Sequence, residues 1–219
     1  MAAKKVSARR KRRNMAANLS GNACARTIPR VKARIRYHAT YDDLVKVPEN
    51  MIAELIDGDL YAWPRSAGPH ARFASALSMD IGPPYDRGRG GPGGWWILFE
   101  PELHLGEQVL APDLAGWRRE RMPRIPKDQR FVVSPDWVCE VSSPSTARID
   151  RGRKMDIYAG HGVPLLWIID PIARLFEVFT LDGERWSRVH TYTGSDVVRA
   201  DPFPEAEIDL ASIWGPDEE

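Results

Sequence analysis

From residue 37 onward, short apolar runs alternate with polar, glycine- and proline-rich breaks. In TYDDLVKVPEN, Thr40 is placed to cap a short helix, with Asp43 at the capping-box position and Pro48 closing it. IAELIDGDLYAW sets a DG pair between two apolar runs, which predicts a hairpin. HARFASALSMDI carries Phe73, Leu77 and Ile81 at helical spacing. RGRGGPGG reads as a flexible loop that could border a cleft. WWILFEPELHL and QVLAPDLAGW each read as a strand, and RRERMPRIPKDQR as a charged, proline-broken connection. DWVCEVSS predicts a strand, STARIDRGRKMDIYAGHG a helix ending near Gly160 or Gly162, and PLLWIID a further buried strand. A second hairpin turns at Asp182-Gly183, and EIDLASIW forms a short terminal helix. Strands, a helix, another strand and then hairpins describe an α/β (α+β) fold with a mixed central sheet flanked by helices.

Composition divides the chain in two. The 219 residues are 43% hydrophobic, enough for a core, and no run of about twenty apolar residues predicts a membrane span. The net charge of +1 conceals an asymmetry: residues 1–36 hold 12 Lys/Arg and no acid, leaving 19 basic and 30 acidic residues over 37–219. Residues 1–36 therefore read as a basic, disordered arm able to attract phosphates, or as an over-extended start upstream of Met15. Residues 37–219 read as a single domain. Two cysteines, Cys24 and Cys139, offer neither a disulfide framework nor a CxxC metal site, in keeping with a cytoplasmic protein.

The candidate chemistry lies in carboxylates set within apolar strands. Glu54, Asp113 and Glu140 stand inside or at the ends of such strands, and a buried carboxylate needs a cation, a hydrogen-bond network or a metal. Three of them on neighbouring strands could converge on one divalent ion, and hard oxygens suit Mg²⁺ or Mn²⁺. An exposed or ion-paired position explains any one of them equally well. Asp136 shares a face with Glu140, but about 13 Å separates them at ~3.3 Å per residue, so it reads as a turn residue at the start of its strand. Spacing alone makes Lys154 a helix-surface partner of Asp150, worth ~0.2–0.5 kcal/mol. There is no GxSxG, HExxH or P-loop, the five histidines are scattered, and the glycines at 88–94 precede no helix.

From about residue 39 to 214, ELIDGDLY, APDLAGW, WVCEVSSPST, DRGRKMDIYAGHGVPLLWIIDP and EIDLASIW follow in an order and spacing that resemble the Uma-type restriction endonuclease family. That family lies within the PD-(D/E)XK nuclease superfamily. The resemblance implies a restriction-endonuclease-like core and a Mg²⁺-dependent endonuclease acting on DNA. Asp113 matches the motif aspartate and Glu140 the acidic residue of (D/E)XK. Where the superfamily has its lysine, two residues on, this chain has Ser142, which brings no positive charge. Lys154, in the following helix, matches the place of a displaced lysine. Glu54 matches the first glutamate of the family's E-L-I-D-G hairpin and reads as a third shell carboxylate or as a polar hairpin position. His70, Arg118 and Arg119 are outside candidates, the first for the site or a helix cap, the others for a DNA backbone or plain surface charge. The alternative is a DNA-binding or defence-associated module that keeps the fold without catalysis. Either reading needs the arm, a local basic patch or a homodimer to offset the charge of −11 over residues 37–219.

Overall fold

The computed structural model describes residues 34–65 and 68–214. The basic block at the start of the chain, Met15 and Cys24 lie outside the described residues. Folded structure is already present at β1 (Arg34–Arg36), which pairs with β3, three residues ahead of the boundary read from charge.

The elements run β1, α1 (Tyr41–Leu44), β2 (Met51–Ile56), β3 (Asp59–Pro64), α2 (Gly68–Ile81), a π-helical turn (Gly82–Asp86), β4 (Trp95–Phe99), β5 (Glu102–Leu105), β6 (Gln108–Leu110), β7 (Leu114–Arg118), β8 (Arg130–Phe131) and β9 (Trp137–Val141). A helical crossover follows: α3 (Ala147–Ile149), a second π-helical turn (Asp150–Lys154) and α4 (Met155–Gly160). The chain ends with β10 (Leu165–Asp170), β11 (Leu175–Asp182), β12 (Arg185–Thr193), β13 (Val197–Val198), β14 (Ile208–Asp209) and α5 (Leu210–Trp214).

The fold is α+β, but two six-stranded sheets stand where one was expected, in the orders β1-β3-β2-β6-β5-β8 and β12-β11-β10-β9-β7-β4. Each is antiparallel except for one parallel pair, β5 with β8 and β9 with β10. The extra sheet arises because each of two expected strands breaks in two. WWILFEPELHL splits at Glu100-Pro101, where Glu100 takes φ 44° and Pro101 can donate no ladder bond. QVLAPDLAGW splits at Ala111–Asp113. The chain therefore leaves the second sheet after β4, forms β5 and β6 in the first, and returns at Asp113 to begin β7.

Local signals account for the hairpins. Asp57 and Gly58 turn with φ 52° and 76°, the paired positive values that a two-residue turn with the twist of its strands requires. Asp43 closes the start of α1, where its Oδ2 accepts from the Thr40 N–H at 3.0 Å. The glycine-rich segment is bonded back onto the first π-helical turn, Arg89 N–H to Pro83 O and Gly93 N–H to Pro84 O, rather than lying free.

The central strands of the second sheet are buried on both faces, which is why β9 and β10 read as unbroken apolar runs. Along β9, Trp137, Cys139 and Val141 join a core with α2 and the C-terminal segment. Val138 points the other way, with Leu166 and Ile168 of β10, into a core shared with the first sheet and α4. That alternation decides where Glu140 goes. Among the described residues no helix is long and apolar enough to cross a membrane.

Candidate active site between the two sheets

Glu140 sits two residues after Val138, so the pleat sends it into the space between the sheets. Asp113 arrives there by register. β7 pairs with β9 through Ala115↔Val138 and Leu114↔Cys139, so one further step sets Asp113 opposite Glu140. Asp113 does not continue the ladder with its side chain; its Oδ2 accepts the Val141 N–H at 2.7 Å. Glu54, two before Ile56 on β2, faces the same core from the other sheet. The three strand acids therefore share one interior by strand parity alone.

The crossover supplies the cation. β9 and β10 run parallel, so the intervening helix must lie across the sheet face, and it lies over Glu140. The turn that starts it is tied by Ser143 and Thr146: the Ser143 N–H donates to Thr146 Oγ1 at 3.0 Å. Lys154, 3% exposed, places Nζ 2.8 Å from Glu140 Oε1, 2.9 Å from Glu54 Oε1 and 3.7 Å from Asp150 Oδ1. Glu54 Oε1 also accepts the Ala111 N–H at 2.8 Å, and Glu140 Oε1 the Tyr158 hydroxyl at 2.6 Å. His70, on α2, brings Nε2 to 3.1 Å from Asp113 Oδ1. A pocket of about 340 Å³ is lined by all of these acids, Lys154, His70 and the Ser143–Thr146 turn.

The electrostatics follow from burial against pairing. Burial pushes Glu54 and Asp150 above the ordinary carboxylate range and Glu140 well above it, and the Lys154 ammonium opposes the rise in each. Burial would lower Lys154, but Glu140 and Glu54 outweigh it and hold the amine well above its usual value. It is a charged ammonium. Burial likewise would lower His70, and its bond to Asp113 reverses the direction. Three carboxyl groups thus share one ammonium, and burial opposes their all being ionised at once without a further cation.

Such a donor set fits a hard divalent cation. Among the described residues no three His, Cys, Asp or Glu stand close enough to ligate one ion together. Mg²⁺ commonly takes one or two protein carboxylates and completes its shell with water and phosphate. Asp113 and Glu140, opposite one another at the pocket, supply that number.

The structure brings Asp113, Glu140, Glu54 and Lys154 to one pocket, and His70 joins them. Asp150 is corrected from surface partner to buried wall residue, 4% exposed. Ser142 is buried beside it, and its Oγ makes no hydrogen bond of ordinary geometry, though it favours the charged form of Asp150. Tyr158 was missed; Asp150, Lys154 and Tyr158 recur at four-residue spacing, the signal that would have found it. Arg119 does not reach toward the pocket: its guanidinium stacks on Trp96 at 3.8 Å and donates to Asp86 O at 2.6 Å. Arg118 stacks on Trp95 at 4.8 Å. Asp136 accepts the Arg118 N–H and the Arg121 guanidinium, both at 2.8 Å, at the start of β9. None of residues 88–94 lines the pocket, so the glycine-rich segment does not border it.

Comparison with known proteins agrees with this core. The family model described as "Uma2: Putative restriction endonuclease" matches residues 38–211. The chain belongs to this family. No curated protein matches the Uma2-family chain. Among solved structures, a "putative nuclease belonging to DUF820" from Anabaena variabilis superposes with a TM-score of 0.65 at 20% identity, over 80% of this chain and 97% of that one. At that identity the likeness concerns the fold. The likeness extends over 80% of this chain, so the overall fold is shared with that protein.

Proposed function

We propose that the protein is a metal-dependent endonuclease that hydrolyses DNA phosphodiester bonds in the pocket between its sheets. Asp113 and Glu140 would hold Mg²⁺ (or Mn²⁺), which when bound supplies Lewis-acid polarisation of a phosphate oxygen and a more acidic water. Lys154 orients the attacking water or neutralises charge developing on the phosphoryl oxygens, as a compact cation with three donors can. Glu54 holds Lys154 from the opposite sheet and completes the acidic shell. His70 fixes the Asp113 carboxylate, which the Val141 N–H grips from its other oxygen. The family description supports nuclease chemistry, and DNA is the substrate that description names by implication.

One observation carries the proposal: acids 27 positions apart in the chain, Asp113 and Glu140, meet at one pocket with a buried ammonium 2.8 Å from the second. Plasmid nicking in Mg²⁺ tests it. The native chain is expected to nick, and Asp113→Ala, Glu140→Ala and Lys154→Ala are each expected to abolish it. Equal nicking by all three variants would rule the assignment out.

A second reading, a DNA-binding module without catalysis, draws on Lys154 itself. Its ammonium already bridges Glu54 and Glu140, so the acids could serve as a closed structural network. DNA binding that persists in EDTA, with no nicking in Mg²⁺ or Mn²⁺, would favour this reading.

A further inference from the structure

We propose that Tyr158 is a positioning residue of the acid pocket: its hydroxyl fixes which oxygen of Glu140 is offered to a bound divalent cation. The inference rests on the metal-dependent reading above and names a residue that reading does not use. Tyr158 is fully buried on α4, its ring packed in the core between the sheets, and its hydroxyl donates to Glu140 Oε1 at 2.6 Å. The same oxygen receives Lys154 Nζ at 2.8 Å. Among the described residues, the side-chain hydrogen bond and the ion pair of Glu140 both fall on Oε1. Two donors on one oxygen restrict the carboxylate's rotation and leave Oε2 as the oxygen available to the pocket that Glu140 lines.

A carboxylate oxygen accepts and the phenol donates, so the proton of this 2.6 Å bond belongs to Tyr158. The geometry explains the four-residue spacing. Lys154 and Tyr158 lie one turn apart on the crossover, and both reach the same carboxylate oxygen from above the sheet. A tyrosine serving the core alone would satisfy its hydroxyl on any acceptor. Here the acceptor is a strand carboxylate oxygen that the pocket's ammonium also holds.

Tyr158→Phe keeps the ring and removes the donor. Groups that orient metal ligands typically cost ~10–100-fold in metal affinity or activity when removed. Calorimetric titration of the full chain with Mn²⁺ should show Kd raised by about that factor, with kcat for nicking lowered alongside and KM for DNA unchanged. Tyr61→Phe is the control. Tyr61 belongs to the same core, but its hydroxyl accepts from Arg153 at 3.1 Å, so Mn²⁺ affinity should stay at the native value. Native Mn²⁺ affinity in Tyr158→Phe, with only a lower melting temperature, overturns the proposal. A Tyr158→Phe chain that does not fold overturns it too, because the hydroxyl would then act through stability. Failure of the native chain to bind Mn²⁺ or to nick DNA is a separate result, and it removes the endonuclease reading itself.

Discussion

Glu140 and Glu177 stand in one row of the second sheet, flanking Ile168 on β9 and β11, yet the two buried acids are treated in opposite ways. Glu177 is shared by two guanidiniums, Arg151 at 2.5 Å and Arg188 at 2.6 Å. Its cations are in excess, and their side chains are 34% and 57% exposed. Around Glu140 the ratio is inverted: three carboxylates share Lys154, which is 3% exposed, and the group lines a pocket. A carboxylate with a guanidinium against each oxygen has more cationic partners than charges of its own. A set of three buried carboxyl groups with one dry ammonium is short of cations, and burial penalises their ionisation until another cation offsets it. The difference separates a strut from a site without appeal to family.

The comparison breaks first on activity. Asp113→Ala and Glu140→Ala should lower Mg²⁺-dependent nicking by at least about 100-fold, the loss of a metal-holding group, while Glu177→Ala leaves nicking unchanged. Plasmid relaxation assays on the three variants decide it. A comparable loss in Glu177→Ala would mean the two acids do not differ in kind.

It is sharpened next on stability. Lys154→Met strands Glu54, Glu140 and Asp150 without a cation, and removing one partner from a buried ionic group costs about 3–5 kcal/mol. Urea unfolding in EDTA should show that loss, and Mn²⁺ should restore part of it by binding the folded state. The sign with pH follows from burial, which raises these acids' folded pKa above the unfolded value. The folded state then holds more protons, so the deficit grows as pH rises through the folded pKa and shrinks as it falls toward the unfolded one. A Lys154→Met chain as stable as the native one would show that the acids are hydrated rather than dry.

Much of this was legible in the sequence, and the rest was hidden for physical reasons. The acids at 54, 113 and 140 stand out because strands that are otherwise apolar must account for a charge. Lys154 was ambiguous: four-residue spacing to Asp150 is equally the signature of a surface pair. Only the parallel pairing of β9 and β10 forces the crossover onto the sheet and buries both residues. Tyr158 was not singled out, because a pattern of apolar positions cannot say what a phenol hydroxyl meets. The division into two sheets was missed at Glu100-Pro101 and Ala111–Asp113, where the apolar pattern continues across a change of sheet. Pleat and register, once known, turn all three strand acids into the one interior between the sheets.

The Glu177 side of the comparison predicts a smaller stability effect. Glu177→Ala removes the buried acceptor, but Arg151 and Arg188 can turn to water, so a loss of about 1–2 kcal/mol is expected in urea unfolding, well below that of Lys154→Met. A loss as large as that of Lys154→Met would mean the guanidiniums are trapped.

The least effect belongs to Arg188→Ala. Its side chain is more than half exposed, and Arg151 remains at 2.5 Å from the same carboxylate, so the pair is screened and redundant. The expected loss is below ~1 kcal/mol, and added salt should shrink it further. Unfolding curves at low and high NaCl measure both. If Arg188→Ala costs more than Glu177→Ala, Glu177 depends on that one cation as Glu140 depends on Lys154. The second cluster would then be a charge-poor site like the first, and surplus cations would no longer tell a strut from a pocket.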